Sequence, residues 1–91
     1  MTFHQEHIQD FQNIFKASST HIRAFPGCLF LELWQDQQDQ RVFFTHSHWR
    51  ETSDLEAYRH SMLFKNTWAQ TRPLFACPAK AWSVYRRAVL Y

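Results

Sequence analysis

From Glu6 onward the apolar residues fall at Ile8, Phe11, Ile14, Phe15 and Ile22. That spacing is the i, i+3, i+4, i+7 stripe of an amphipathic helix, and it leaves Gln9, Asp10, Gln12, Asn13 and Lys16 on a solvated face. Pro26-Gly27 ends the helix. The period then drops to two. Between Cys28 and Gln35, Leu29, Leu31 and Leu33 point one way, and Cys28, Phe30, Glu32 and Trp34 the other. Asp36-Gln37-Gln38-Asp39 is a polar turn and Arg41 to Trp49 a second strand, so an antiparallel hairpin is expected. Neither strand separates apolar from polar faces, because Phe30 and Trp34 oppose the leucines and Phe43 opposes Val42 and Phe44. A sheet that is apolar on both faces needs cover on both.

After the hairpin the helical period returns. Ser53 with Glu56 three residues later reads as a capping box, opening a helix that turns Leu55, Tyr58 and Met62 inward. The stripe changes phase near Ser61, and Phe64, Trp68 and Thr71 define another face, so a break is expected there. Pro73 and Pro78 bracket a loop, Ala79 to Tyr91 alternates as a last strand, and Thr2–His4 adds a short first one. The order is the βαββαβ ferredoxin-like arrangement, an α+β sandwich with its helices on one sheet face. Residues 1–91 read as a single domain, with no repeat or linker. With helices on one face only, the second aromatic face calls for a partner, and a homodimer packed sheet to sheet is expected.

Composition sharpens that expectation. The 91 residues include nine Phe, four Trp and three Tyr, and each ring brings about 150–250 Å² to bury. This load is heavy for one small core, so either the core is unusually aromatic or part of the load faces a partner subunit or a ligand. Ten basic and eight acidic residues leave a net charge of +2. The longest run of like charge is Arg86-Arg87, so no nucleic-acid or membrane footprint is visible. No apolar run approaches the roughly 20 residues of a membrane span, and no secretory pattern opens the chain. Cys28 and Cys77 lack a Cys-x-x-Cys spacing and read as free thiols of a cytoplasmic protein. A single glycine excludes a Gly-rich phosphate cradle, and phosphoryl transfer with it.

The chemistry-bearing residues gather between Arg41 and Phe64. Thr45 and Trp49 are four apart on one strand and so share a face. With Tyr58 from the following helix they can line a cleft between sheet and helices, or Trp49 can be a core residue with its N–H bonded to a carbonyl. His46 and His48 alternate on one strand face. Their His-x-His spacing is seen in some metal sites, but no third ligand is tied to them, and no metal is expected. They stand either in a pocket or dimer interface, or as satisfied structural histidines. Glu32 is a lone carboxylate on an apolar strand face, expected to pair with Arg86 or Arg87. His4, His7, His21 and His60 read as surface residues.

Pro26-Gly27-Cys28, the aromatic strand ending at Trp49, Leu55-x-x-Tyr58-x-x-Ser61-x-x-Phe64 and Ala81-Trp82-Ser83-Val84 together resemble the antibiotic biosynthesis monooxygenase family. The resemblance covers nearly the whole chain, in order and spacing. It implies a dimeric α+β barrel. It also implies, for some members, oxidation of anthrones or quinols by molecular oxygen without a cofactor, and for others haem degradation. Three departures bear on the activity. The first strand is short, so the barrel has a gap there or the natural chain starts before Met1. Anthrone-oxidising members pair the strand-end Trp with an Asn four residues before it and a Tyr six after, where this chain has Thr45 and Leu55. Haem-degrading members carry an Asn on the first strand and a His on the later helix, where this chain has Trp68.

The resulting expectation is a cofactor-independent monooxygenase acting on a small electron-rich aromatic, of quinol, phenol or anthrone type. Trp49 and Tyr58 would position and donate, with Thr45 and Leu55 beside them, and His46 or His48 would be the base. Histidine is the residue type that ordinarily titrates near neutrality. The alternative is a non-catalytic dimeric small-molecule-binding or structural domain of the same fold, whose pocket is filled by its own aromatics.

Overall fold

In the computed structural model, which covers all 91 residues, the first apolar stripe forms helix α1 (Ile8–Arg23), entered through a 3-10 turn at Gln5–His7. Phe11 and Ile22 are its buried apolar positions, while Ile8, Ile14 and Phe15 are half-buried. Ser18 is buried on the same face, and its hydroxyl donates to the Ile14 carbonyl at 2.9 Å. A buried hydroxyl left unpaired would be costly. The helix ends before Gly27, whose φ of +87° a side chain disfavours. A Cβ on Gly27 would also lie 2.3 Å from Cγ of Asp54.

Strands β1 (Cys28–Gln35) and β2 (Phe43–Trp49) pair antiparallel, with Phe30 opposite His48, Glu32 opposite His46 and Trp34 opposite Phe44. The Asp36 carboxylate accepts from the N–H groups of Gln38 and Asp39, which closes the turn without glycine. Hydrogen bonds from Arg41 hold the neighbouring Asp39 carboxyl below its ordinary range. The register breaks once, between Cys28 and Phe30, where Cys28 and Leu29 together oppose Trp49. Such a bulge inserts one residue and reverses the alternation beyond it. Cys28 therefore turns in and is buried, whereas Leu29 is exposed. Simple alternation had placed them the other way round.

Beyond β2 the sheet continues through two short segments. Met1 and Phe43 exchange hydrogen bonds, the Met1 ammonium donating to the Phe43 carbonyl at 2.9 Å, and Phe3 N–H donates to Arg41. On the other side Phe3 bridges Phe75, and Ala76 N–H donates to Thr2. The lateral order is thus Leu74–Ala76, Met1–Phe3, β2, β1, which is the order of a ferredoxin-like βαββαβ fold with its first and last strands reduced to single bridges. The first strand is short, as expected, yet it fills its place between β2 and the last segment.

The last segment differs from the sequence reading. The fourth position is taken by Leu74–Ala76, and residues 78–91 form no strand. Pro78 has no N–H to continue a ladder, and no hydrogen bond joins the stretch after it to the rest of the chain. Trp82, Val84, Tyr85 and Leu90 all stand in solvent there.

Helices α2 (Thr52–Arg59) and α3 (Met62–Thr71) are separated at His60–Ser61, the break expected from the phase change. Ser61 caps α3, accepting from Phe64 N–H at 3.1 Å and donating to the Tyr58 carbonyl at 2.6 Å. The capping box at Ser53 does not form. The helix starts two residues earlier, with Glu51 rather than Ser53 at its N-cap and no side-chain cap, and Asp54 carries the negative charge of the first turn. Met62 opens α3 exposed rather than inward. Helix α1 packs on β1 and α3. The centre of the core is Phe3, Phe11 and Phe43, with Phe3 and Phe11 stacked at 4.2 Å between ring centroids. No helix is long and apolar enough to cross a membrane.

Candidate functional site

Alternation along β2 distributes the sequence candidates over two faces. Phe43 joins the core and Trp49 meets α2, so the odd-numbered residues of β2 face the helices. Phe44, His46 and His48 face away, with Phe30, Glu32 and Trp34 of β1 paired opposite them. The expected constellation of His46, His48, Trp49 and Tyr58 therefore divides into two pairs separated by the sheet.

On the helix side Trp49 and Tyr58 stack at 5.2 Å and 24°. Phe25 meets both rings edge-on, and Phe64 meets Tyr58 the same way. The stack fills the space between the end of β2 and α2. The Trp49 indole N–H donates to Ser47 Oγ at 3.0 Å rather than to a carbonyl. Burial pushes the Tyr58 hydroxyl above its ordinary pKa, and the nearby Cys28 sulfur adds in the same direction. Tyr58 is thus a neutral donor throughout the physiological range. Leu55 is half-buried on the same helix, and Thr45, opposite Leu33, is exposed and bonds neither Trp49 nor Tyr58.

The far face carries polar groups in series. His46 Nδ1 lies 3.1 Å from Glu32 Oε1, and His48 Nε2 lies 3.2 Å from His46 Nε2. The two imidazoles meet edge to face, with centroids 4.7 Å apart. Phe30 lies against both rings, at 5.9 and 5.1 Å, and Trp34 lies 5.4 Å from His46. Glu32 therefore pairs with a histidine across the hairpin, not with Arg86 or Arg87, whose segment makes no hydrogen bond to the sheet. The sequence reading missed this contact, although Glu32 and His46 stand equally far from Asp39 in the turn. The surrounding patch is open, since Phe30, Trp34 and Phe44 are 38%, 52% and 48% exposed.

Two open grooves are present. One, of about 590 Å³, runs between α1 and the β1 edge past Phe15, Ser19, Arg23, Leu31, Leu33 and Glu32, the partner of His46. The other, of about 350 Å³, lies beside Trp68, Arg72 and Phe75. Neither touches Trp49 or Tyr58. His60, His4 and His21 are exposed, and His7 bonds Asp10 at 2.9 Å on the surface of α1.

Comparison with known proteins agrees with this architecture. PA3566 from Pseudomonas aeruginosa superposes with a TM-score of 0.84 at 26% identity, over 97% of this chain and 88% of its own. Rv0793 from Mycobacterium tuberculosis gives 0.82 at 18% identity, over 96% and 91%. An antibiotic biosynthesis monooxygenase of known structure gives 0.79 at 18% identity, over 85% and 81%. No curated protein matches the chain. The model of the antibiotic biosynthesis monooxygenase family matches residues 1–70. With that match over most of its length, and a fold shared with these structures, the chain belongs to the antibiotic biosynthesis monooxygenase family.

Proposed function

We propose that the protein is a cofactor-independent monooxygenase acting on a small electron-rich aromatic with an acidic O–H, of quinol, phenol or anthrone type. The observation that carries this reading is the open groove of about 590 Å³ between α1 and the β1 edge, lined by Phe15, Leu31 and Leu33 and by Glu32, whose carboxylate bonds His46. Its apolar walls suit a flat substrate, and the Glu32–His46 pair supplies a proton-accepting group at its rim. Family membership supports the reaction class.

The chemistry asks little of the protein beyond a base and a dry surface. Loss of the O–H proton to histidine leaves an electron-rich anion, which passes one electron to dioxygen. The resulting radical pair combines through a new C–O bond, and the carbon-bound peroxide takes the proton back. Loss of water then leaves a carbonyl. For anthrone the balance is anthrone plus dioxygen giving anthraquinone plus water. One oxygen atom enters the product, and the other leaves with the two hydrogens of the oxidised carbon. Fixed donors and the exclusion of water stabilise the anion.

The single chain leaves the far sheet face open, so the reading includes a cytoplasmic homodimer in which a second copy covers the aromatic patch. A monomer in sedimentation at micromolar concentration removes that element. A second reading, a non-catalytic dimeric small-molecule-binding or structural domain, is favoured by the Trp49–Tyr58 stack, which fills the space between the end of β2 and α2. Oxygen uptake with anthrone separates the two. Wild type is expected to consume oxygen and form anthraquinone, and the His46→Ala/His48→Ala double variant to lose about 10²-fold or more of that rate. No uptake by wild type favours the second reading, and full uptake by the double variant removes the histidine base.

A further inference from the structure

We infer that Arg23 is the anion-holding residue of the groove between α1 and β1, which takes a flat aromatic through its ionised oxygen, a phenolate or enolate. The inference rests on the proposed function for what becomes of that anion, but not for its binding.

Helix and strand supply the two walls. Phe15, Ser19 and Arg23 follow one another at four-residue spacing and so line one side of α1. Leu31 and Leu33, two apart on β1, form the facing wall. Apolar side chains from both walls accept a ring, and a guanidinium stands where the helix ends. The groove opens beside α1, away from the sheet face that a second copy covers.

Arg23 is oriented and yet unpaired. Its Nη1 donates to the Cys28 carbonyl at 2.7 Å, which ties the guanidinium to the buried start of β1. A guanidinium has five N–H donors, and this is the one hydrogen bond that the Arg23 side chain makes. Arg41, Arg50 and Arg59 each meet a carboxylate, whereas Arg23 lies within ion-pair distance of none. Arg72 is the other cation that lines a groove, but no hydrogen bond orients its side chain. An oriented cation with free donors, set beside apolar walls, selects an anionic oxygen on a flat ring.

Glu32 lines the same groove, with its Oε1 held 3.1 Å from His46 Nδ1. Its carboxylate does not pair with Arg23, so the proton acceptor and the anion holder stand apart. The substrate O–H bond breaks as its proton passes to the Glu32–His46 pair, and the electron pair stays on the oxygen. Arg23 then donates to that oxygen through N–H groups that its contact with Cys28 leaves free. A nearby opposite charge favours the ionised form, and this step needs no oxidant. A ligand with a second negative charge meets Glu32 as well as Arg23, which limits the class to one ionised oxygen.

The full-length protein tests this with para-nitrophenol, whose anion absorbs visible light and whose neutral form does not. Titrating the bound probe reads its ionisation whether or not any substrate is oxidised. Arg23 is exposed, which screens its charge and keeps the effect modest. In the wild type the midpoint is expected about one pH unit below that of the free probe, a roughly tenfold preference for the anion. Arg23→Gln is expected to abolish that fall and to weaken anion binding about tenfold, while Arg23→Lys, which keeps the charge but not the planar fork, retains part of both. The neutral para-nitroanisole is expected to bind wild type and Arg23→Gln alike. A midpoint unshifted or raised in the wild type, an equal fall in Arg23→Gln, or no binding of millimolar probe overturns the inference. So does a loss of para-nitroanisole binding as large as that of the anion, which would make Arg23 a structural residue of the groove.

With anthrone as substrate, Arg23→Gln is expected to lower kcat about 10²-fold with KM less affected, as for a donor whose hydrogen bond strengthens while charge develops. Wild-type turnover in Arg23→Gln overturns the inference as well. If wild type leaves anthrone untouched, the proposed function falls, and the para-nitrophenol titration still decides the anion site.

Discussion

Two residues adjacent in β2 experience opposite surroundings. Phe43 is 1% exposed in the centre of the core, and Phe44, the next residue, is 48% exposed on the far face. The same division separates Trp49 from His48. On the helix side the rings pack against one another, with the Trp49 indole and the Tyr58 hydroxyl as their polar edges. On the far side the rings form an open border around a carboxylate and two imidazoles. Apolar bulk and ionisable groups stand on opposite faces of one strand, and the two-residue period is all that keeps them apart. The core and the histidine face are therefore open to separate perturbation.

The sharpest test of that separation uses the two neighbouring phenylalanines. Phe43→Ala is expected to cost about 3–5 kcal/mol in urea unfolding, since it empties the centre of the aromatic core. For a 91-residue chain that is a large part of a total stability of about 5–15 kcal/mol. Phe44→Ala is expected to change the stability of the single chain by about 0.5 kcal/mol or less. If a second copy covers this face, the Phe44→Ala effect instead grows with protein concentration. A Phe44→Ala loss equal to that of Phe43→Ala in dilute solution would break the comparison.

Next in size is Gly27→Ala, which tests the corner leading into β1. The positive φ alone costs about 1–2 kcal/mol for a residue with a Cβ, and the close approach of Asp54 adds to it. Thermal unfolding is expected to show a clear drop, and an unchanged midpoint would mean that the corner relaxes at little cost. The smallest effect concerns Tyr58. Its folded-state pKa lies above the ordinary 10.0, so burial favours the neutral form. That preference costs nothing while both states are protonated. Stability is lost as pH rises from the unfolded pKa through the folded one. Tyr58→Phe is expected to flatten that alkaline decline and to leave neutral-pH unfolding nearly unchanged. A variant as steep as the wild type would assign the decline to other groups.

Much of the fold was legible because burial imposes periods. The spacing of Phe11, Phe15 and Ile22 needed a helix, and the shift of phase at Ser61 needed a break. The two-sided aromatic hairpin pointed to an uncovered face before any coordinate was known. What escaped was decided by contacts between distant residues. The side taken by Cys28 depends on a bulge, which local alternation does not encode. The partner of Glu32 depends on hairpin register, and the basic residues near the C-terminus looked closer in charge than they are in space. The strand expected from Ala79 to Tyr91 does not form, because a local pattern does not supply the neighbouring strand it would need. The capping box at Ser53 was a sound local signal that gave way when the helix began two residues earlier. Of the candidate site, the residue types were visible, and their division by the sheet followed only from pairing.

The extra residue at the start of β1 also has a chemical consequence. In an uninterrupted ladder Leu29 would oppose Trp49, and Cys28 would lie on the face of Phe30 and His48. A thiol beside an imidazole is readily ionised, and a thiolate is the form that oxygen-derived species attack, along a ladder whose later steps are irreversible. The bulge instead seals that sulfur under the helices beside Tyr58, where it is buried. A single inserted residue thereby acts as a chemical insulator: the histidine face has no thiol in its ladder.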